Sequence, residues 1–176
     1  MLSAGPIFLR ALEPGDLDFL YVLENDPSLW AVSDTLAPLS RHVLTEYLSH
    51  AAADFYEVRQ LRLVICQAED GCAVGTIDLF GFEPRHQRAG VGITVVAGKR
   101  GRGVAREALT RVLDYARDTL YLHQLHCTIA VTNTASRRLF EGAGFRQVGV
   151  RRDWLRTKNG WEDVLELQCV FRDDTA

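Results

Sequence analysis

Apolar and polar residues alternate through IFLRALEP, the period of a strand buried on one face, until Pro14-Gly15 stops it. DLDFLYVLEND then sets Leu17, Phe19, Leu20 and Leu23 at helical spacing, so the strand gives way to a helix. After a connection from Pro27 to Pro38, Ser40 is placed to cap a second helix, RHVLTEYLSHAAAD. Three strand-like runs follow, QLRLVICQAED, AVGTIDLFGF and AGVGITVVA, joined through Asp70-Gly71 and the polar EPRHQR, and they read as an antiparallel meander. From Gly103 the period changes, and Leu109, Val112, Leu113, Ala116 and Leu120 make one apolar stripe of a helix. The strand LHCTIAVTN comes next, then a short helix in TASRRLFEGAGF stopped at Gly142-Ala143-Gly144. Two strands, VGVRRDWLR and WEDVLELQCVF, joined at Lys158-Asn159-Gly160, close the pattern. The order β-α-α-β-β-β-α-β-α-β-β predicts one α/β domain over residues 1–176, built on a mixed, mostly antiparallel sheet of about seven strands flanked by helices.

Composition narrows the class. With 47% hydrophobic residues in 176, the chain can bury a sizeable core. Met1 to Pro6 carries no basic leader pattern, and no run reaches the roughly 18 apolar residues of a membrane span, so a cytoplasmic protein without a membrane partner is expected. Cys66, Cys72, Cys127 and Cys169 are scattered through alternating stretches without paired spacing, which reads as reduced core thiols. His123 and His126 in HQLH have no partner at ligand spacing, so no metal is expected. The net charge of −3 is uneven. Residues 1–58 hold nine acids against Arg10 and Arg41, a sum of −7, which leaves +4 for the remainder. An acidic first third suits a cationic acceptor and a basic remainder a polyanion, although solvated helix faces give the same pattern.

The basic excess is sharpest in VVAGKRGRGVAREAL, where three glycines and three cations fall within six residues ahead of a helix. N–H groups at a helix start lack intrahelical acceptors, and the helix dipole favours negative charge there. Gly101 and Gly103 would let an anion approach the backbone, and Lys99, Arg100 and Arg102 would add charge-assisted bonds. The pattern is neither a Walker loop nor the three-glycine dinucleotide motif. A nucleic-acid binder would spread cations and aromatics over a face, and this chain is acidic overall, so no nucleic-acid partner is expected.

Arg-x-x-Gly-x-Ala opening a helix, followed some thirty residues on by NTASRRLFEGAGFRQVG, resembles the acetyl-CoA motifs of the GNAT N-acetyltransferase superfamily. LRALEPGDLDFLYVLEND resembles that family's first strand and helix, and GVRRDWLRTKNGWEDVLELQCVF its closing hairpin in the branch holding the spermidine and diamine acetyltransferases and the ribosomal-protein N-terminal acetyltransferases. The resemblance implies a sheet splayed at the acetyl-CoA site and a pyrophosphate cradle at Arg100, Gly101, Arg102, Gly103, Val104 and Ala105. It further implies that the backbone of Ile93, Thr94 and Val95 lines the thioester and pantetheine, with Asn133, Ser136 and Phe140 beside the pantetheine arm.

Acetyl transfer to an amine needs a neutral nucleophile, and neutralising a lysine-like ammonium at pH 7 costs about 4.6 kcal/mol. In relatives of this branch a Glu often supplies the base where this chain has Gly90; Asp78, Glu83 and His86 are the alternatives nearby. Many relatives also place a thiolate-protonating tyrosine where Phe140 stands here. An unprotonated thiolate costs only about 2 kcal/mol at pH 7, so Ser136 or a water suffices, although a cap or cofactor contact is the more ordinary role for Ser136. Trp30, Tyr47, Tyr56 and Trp154 are candidates to shape an acceptor pocket or to pack the core or a subunit contact, and Asp163 is explained by a hairpin hydrogen bond as well as by catalysis. The resulting expectation is direct acetyl transfer to a primary amine, a polyamine or diamine favoured, by a homo-oligomeric enzyme. A protein N-terminus is the second acceptor class, and a non-catalytic acyl-CoA-binding module the alternative to an enzyme.

Overall fold

The computed structural model describes residues 2–3, 5–33, 35–51 and 54–171. Its elements in order are β1 (Leu2–Ser3), β2 (Ile7–Ala11), α1 (Leu17–Glu24), α2 (Pro27–Ser33), α3 (Arg41–Ser49), α4 (Phe55–Val58), β3 (Gln60–Gln67), β4 (Ala73–Glu83), β5 (Arg88–Val95), α5 (Val104–Asp118), β6 (Gln124–Ala130), α6 (Thr134–Gly142), β7 (Arg146–Thr157) and β8 (Gly160–Val170). Strands pair in the order β1-β2-β3-β4-β5-β6-β8-β7, the expected seven plus the two-residue β1 at one edge. The meander β2 to β5 is antiparallel throughout. Crossover helix α5 returns the chain so that β6 runs parallel to β5, and the β7–β8 hairpin completes the sheet.

Strand alternation gives the sheet two faces. Ile65, Ile77, Leu79, Val91 and Val95 turn toward the buried stripe Ala108, Leu109, Val112 and Ala116 of α5 and form the main core with it. The alternate residues of the same strands face the other way. There a second cluster forms, with Leu20 of α1 and Leu44 and Leu48 of α3 packed with Leu17, Phe19 and Tyr47.

Helix boundaries differ from the sequence reading where capping outweighs periodicity. Pro27 opens α2 inside the stretch read as a connection, because Asp26 caps it: its Oδ1 accepts from the Ser28 N–H at 2.9 Å. Ser40 caps α3 as expected, accepting from the Val43 N–H at 3.2 Å. That helix stops at Ser49 rather than running to Asp54, which instead caps the one-turn α4 by accepting from Tyr56. Ala52 and Ala53, read as part of the longer helix, lie outside the described residues.

Candidate active site

β5 and β6 are hydrogen-bonded only from Arg88, Ala89 and Gly90 to Gln124, Leu125 and His126. Beyond Gly90 they part: β5 stays in unbroken register with β4 as far as Val95, while β6 follows β8 as far as Ala130. The two strands therefore open like a fork, leaving the backbone groups of Ile93 without a strand partner on that side, while Gly92 and Thr94 turn theirs toward β4. A cleft of about 470 Å³ fills the fork, walled by Gly92, Ile93 and Thr94 on one side and by Thr128, Ile129 and Ala130 on the other.

One end of the cleft is charged. Cross-strand register puts Arg62 opposite Asp78, and Asp78 opposite Gly92, all on the face away from α5. Arg62 donates from Nε to Asp78 Oδ1 at 2.5 Å and from Nη1 to Glu24 Oε1 at 2.7 Å, while its guanidinium lies 5.5 Å from the centroid of the Tyr47 ring. The three side chains keep 19%, 16% and 15% of their surface, in the order Arg62, Glu24, Asp78, and together carry one net negative charge into the cleft. Burial pushes the Asp78 carboxyl above the usual range, against the pull of Arg62. Gly92 places no side chain between Asp78 and the fork.

The wall opposite carries the start of α6, and the turn before α5 lies beyond it. Asn133 caps α6, its Oδ1 accepting from the Ser136 N–H at 3.1 Å, and both residues line the cleft. Phe140, one turn on, also reaches the cleft but is 4% exposed and packs edge-on against Phe145 with centroids 5.0 Å apart. Past Val95 the chain turns through Ala97–Lys99, and Gly101 and Gly103 both take left-handed conformations, at φ +72° and +82°. A Cβ on either would meet nothing within 4 Å, so the approach to this backbone is open. The α5 start leaves the N–H groups of Val104, Ala105 and Arg106 without intrahelical acceptors, the first such bond running from Glu107 to Gly103. Arg100 donates from Nε to the Val95 carbonyl at 2.8 Å, tying the turn to the end of β5.

Residues 7–146 match the family model of the acetyltransferase (GNAT) domain. The chain belongs to the GNAT acetyltransferase family. It is 30% identical over 183 residues to the probable N-acetyltransferase YjcK of Bacillus subtilis, covering 99% of both chains. It is 28% identical over 173 residues to the spermidine N(1)-acetyltransferase of Vibrio cholerae, covering 92% of this chain and 91% of that one. The crystal structure of the Vibrio cholerae spermidine N-acetyltransferase in complex with CoA and spermine superposes with a TM-score of 0.85 at 27% identity, over 95% of this chain and 96% of that one.

Within this GNAT-type N-acetyltransferase the sequence-derived candidates separate. Ile93, Thr94, Asn133, Ser136, Phe140 and Asp78 meet at the cleft. Val95 buries its side chain in the α5 core, so only its backbone faces the fork. Arg100, Gly101, Arg102, Gly103, Val104 and Ala105 form the turn and helix start beyond the cleft wall. Glu83 pairs with Arg88 past the irregularity in β4, and His86 sits in the short turn after it; neither reaches the cleft. Phe80 covers Gly90: a Cβ there would come within 2.4 Å of its ring. Of the aromatics, Trp154 lines the cleft. Trp30 instead donates to the Glu24 carbonyl at 2.9 Å, and Tyr56 packs edge-on against Phe82. Cys127 also borders the cleft, but burial pushes its thiol up to about 12, so it stays protonated and a poor nucleophile.

The sequence reading passed over Arg62 and Glu24. Their signal was available: Arg62 and Asp78 each interrupt an apolar strand near its middle, and adjacent antiparallel strands bring such charges opposite one another. Among the described residues, no helix is long and apolar enough to cross a membrane, and no cluster of three or more His, Cys, Asp or Glu is placed to hold a metal.

Proposed function

We propose that this enzyme moves the acetyl group of acetyl-CoA directly to a primary amine, with a polyamine or diamine as the favoured acceptor. The observation that carries this reading is the net-negative Glu24–Arg62–Asp78 group at one end of the fork, facing Asn133 and Ser136 on the opposite wall. An ammonium entering from the acidic end is attracted by two carboxylates, only one of whose charges Arg62 cancels. The spermine and CoA bound by the Vibrio cholerae relative support the same pairing of ligands.

The residues fit a pyrophosphate and a thioester. Gly101, Gly103 and the α5 start present open N–H groups to an anion, with Arg100 and Arg102 nearby. Backbone N–H groups of Ile93 and Val95, which the β4–β5 register turns toward the open side of the fork, are suited to polarise a carbonyl oxygen. Acetyl-CoA supplies an activated acyl carbon. Asp78 accepts the proton that the ammonium must lose, and burial makes it a better base than an ordinary carboxylate. Ser136, or a water beside it, donates to the departing sulfur; Phe140 has no proton to give and packs against the pantetheine arm. The same reading takes residues 1–176 as one domain, working in the cytoplasm as a homo-oligomer.

Thiol release from acetyl-CoA tests the reading with a panel of spermidine, spermine, diamines, lysine and N-terminal peptides. Turnover with polyamines or diamines is expected. Turnover with peptides alone would overturn it in favour of a protein N-terminus, and binding of acetyl-CoA without turnover on any amine would overturn direct transfer.

A further inference from the structure

Strand β7 is irregular where it passes the cleft. Its pairing with β8 jumps from Arg151↔Val164 to Leu155↔Glu162, so Arg152, Asp153 and Trp154 stand opposite the single residue Asp163. Bulges of this kind re-aim a side chain. Asp153 takes a left-handed conformation at φ +47°, which Asp tolerates better than most residues, and the bulge is tied down there from β8. Asp163 makes the tie: its Oδ1 accepts from the Asp153 N–H at 2.9 Å and its Oδ2 from Arg152 Nη1 at 2.5 Å. A second tie acts on the indole. The Arg151 guanidinium lies 4.6 Å from the centroid of Trp154, and Glu166 on β8 accepts from Arg151 Nε at 2.7 Å. Gly149 makes room for Glu166, whose Oε2 would lie 2.9 Å from a Cβ there. The product of these constraints is a tryptophan that keeps 53% of its surface exposed yet lines the cleft.

We infer that Trp154 is a specificity-determining residue for the acceptor, contacting the alkyl-ammonium chain of a di- or polyamine, and that Asp163 is its positioning residue. The inference rests on the amine-acceptor reading above and adds the wall that the acidic group lacks. Glu24 and Asp78 attract charge without distinguishing one amine from another, whereas an indole contacts methylenes and favours a cation against its ring. A long exposed aromatic would otherwise have no reason to be pinned from two sides. Asp163 touches no substrate atom in this arrangement and acts through the bulge.

The test measures initial rates with spermidine, and with a short monoamine as the reference acceptor, for the full-length enzyme. Trp154→Ala should raise KM for spermidine about tenfold, with kcat and the acetyl-CoA KM within about twofold and a smaller effect on the monoamine. Trp154→Phe, which keeps a ring, should recover most of the loss. Asp163→Ala should reproduce the spermidine KM rise, and in a Trp154→Ala background should add nothing further. Intrinsic fluorescence should be quenched by spermidine in the wild type and lose most of that response in Trp154→Phe. An unchanged spermidine KM in Trp154→Ala, or an Asp163→Ala effect that persists without Trp154, would overturn the inference. A wild-type enzyme that acetylates no di- or polyamine would overturn the acceptor reading itself, and this inference with it.

Discussion

Replacing Arg62 by Met keeps a long side chain over Tyr47 but removes the cation shared by Glu24 and Asp78. Breaking a buried ion pair from one side costs roughly 3–5 kcal/mol. Here each carboxylate keeps about a sixth of its surface exposed to water, so about 2–4 kcal/mol is expected at pH 8. In a domain of this size 1 kcal/mol moves Tm by about 2–4 °C, which gives a drop of roughly 4–16 °C. The pH dependence has a definite sign. Burial already makes Asp78 hold its proton more tightly in the folded protein than in the unfolded chain. A folded state that binds more protons loses stability as pH rises through the interval between the two pKa values. Arg62 is the charge that opposes burial, so its loss raises the folded pKa further, and the deficit of the variant should be largest at pH 8 and shrink toward pH 5. Thermal melts of wild type and Arg62→Met at both pH values provide the assay. A variant that melts within 1 °C of wild type at pH 8, on the scale set by the figure above, or a deficit that grows toward pH 5, would refute the reasoning.

Three further outcomes follow from the same geometry. Asp78→Asn should lower kcat about 100-fold at pH 7 and regain rate as pH approaches the amine pKa, because solution then supplies the neutral nucleophile; a pH–rate profile reads this directly. Gly103→Glu should weaken acetyl-CoA binding at least about tenfold by calorimetry, since it puts a negative charge at a helix start, whereas Gly103→Asn, a residue that tolerates positive φ, should bind nearly as wild type. Gly90→Ala should destabilise by about 1–3 kcal/mol through its clash with the Phe80 ring, and Phe80→Ala should relieve most of that cost, a coupling that a double-mutant cycle in denaturant melts would show.

Much of this architecture was legible in the residues. Periodicity alone located β2 to β6, β8 and α5, because each has a buried side and its pattern is dictated by that burial, whereas β7, with no buried residue, was marked by the turn that joins it to β8. The glycine-rich turn was legible because Gly101 and Gly103 are needed for a backbone with positive φ at a helix start. Helix α2 escaped because its seven residues carry little periodicity and depend on the Asp26 cap and Pro27. The acidic end of the cleft escaped for a different reason. Glu24, Arg62 and Asp78 come from α1, β3 and β4, and only the sheet register brings them together. Glu83 looked as suitable as Asp78 in sequence, but it pairs with Arg88, four residues along β5 from the Gly92 that faces Asp78 and on the stretch where β5 and β6 are still joined. Gly90 carries no side chain and Phe80 covers it, which is invisible until strands β4 and β5 are aligned.

The decisive measurement is a crystal structure with coenzyme A and spermine bound. The pantetheine should lie between β5 and β6, the pyrophosphate against the backbone of Gly101 to Ala105, and an amine within hydrogen-bonding reach of Asp78. Coenzyme bound away from the fork, or an amine bound far from Asp78 with the fork empty, would contradict this arrangement.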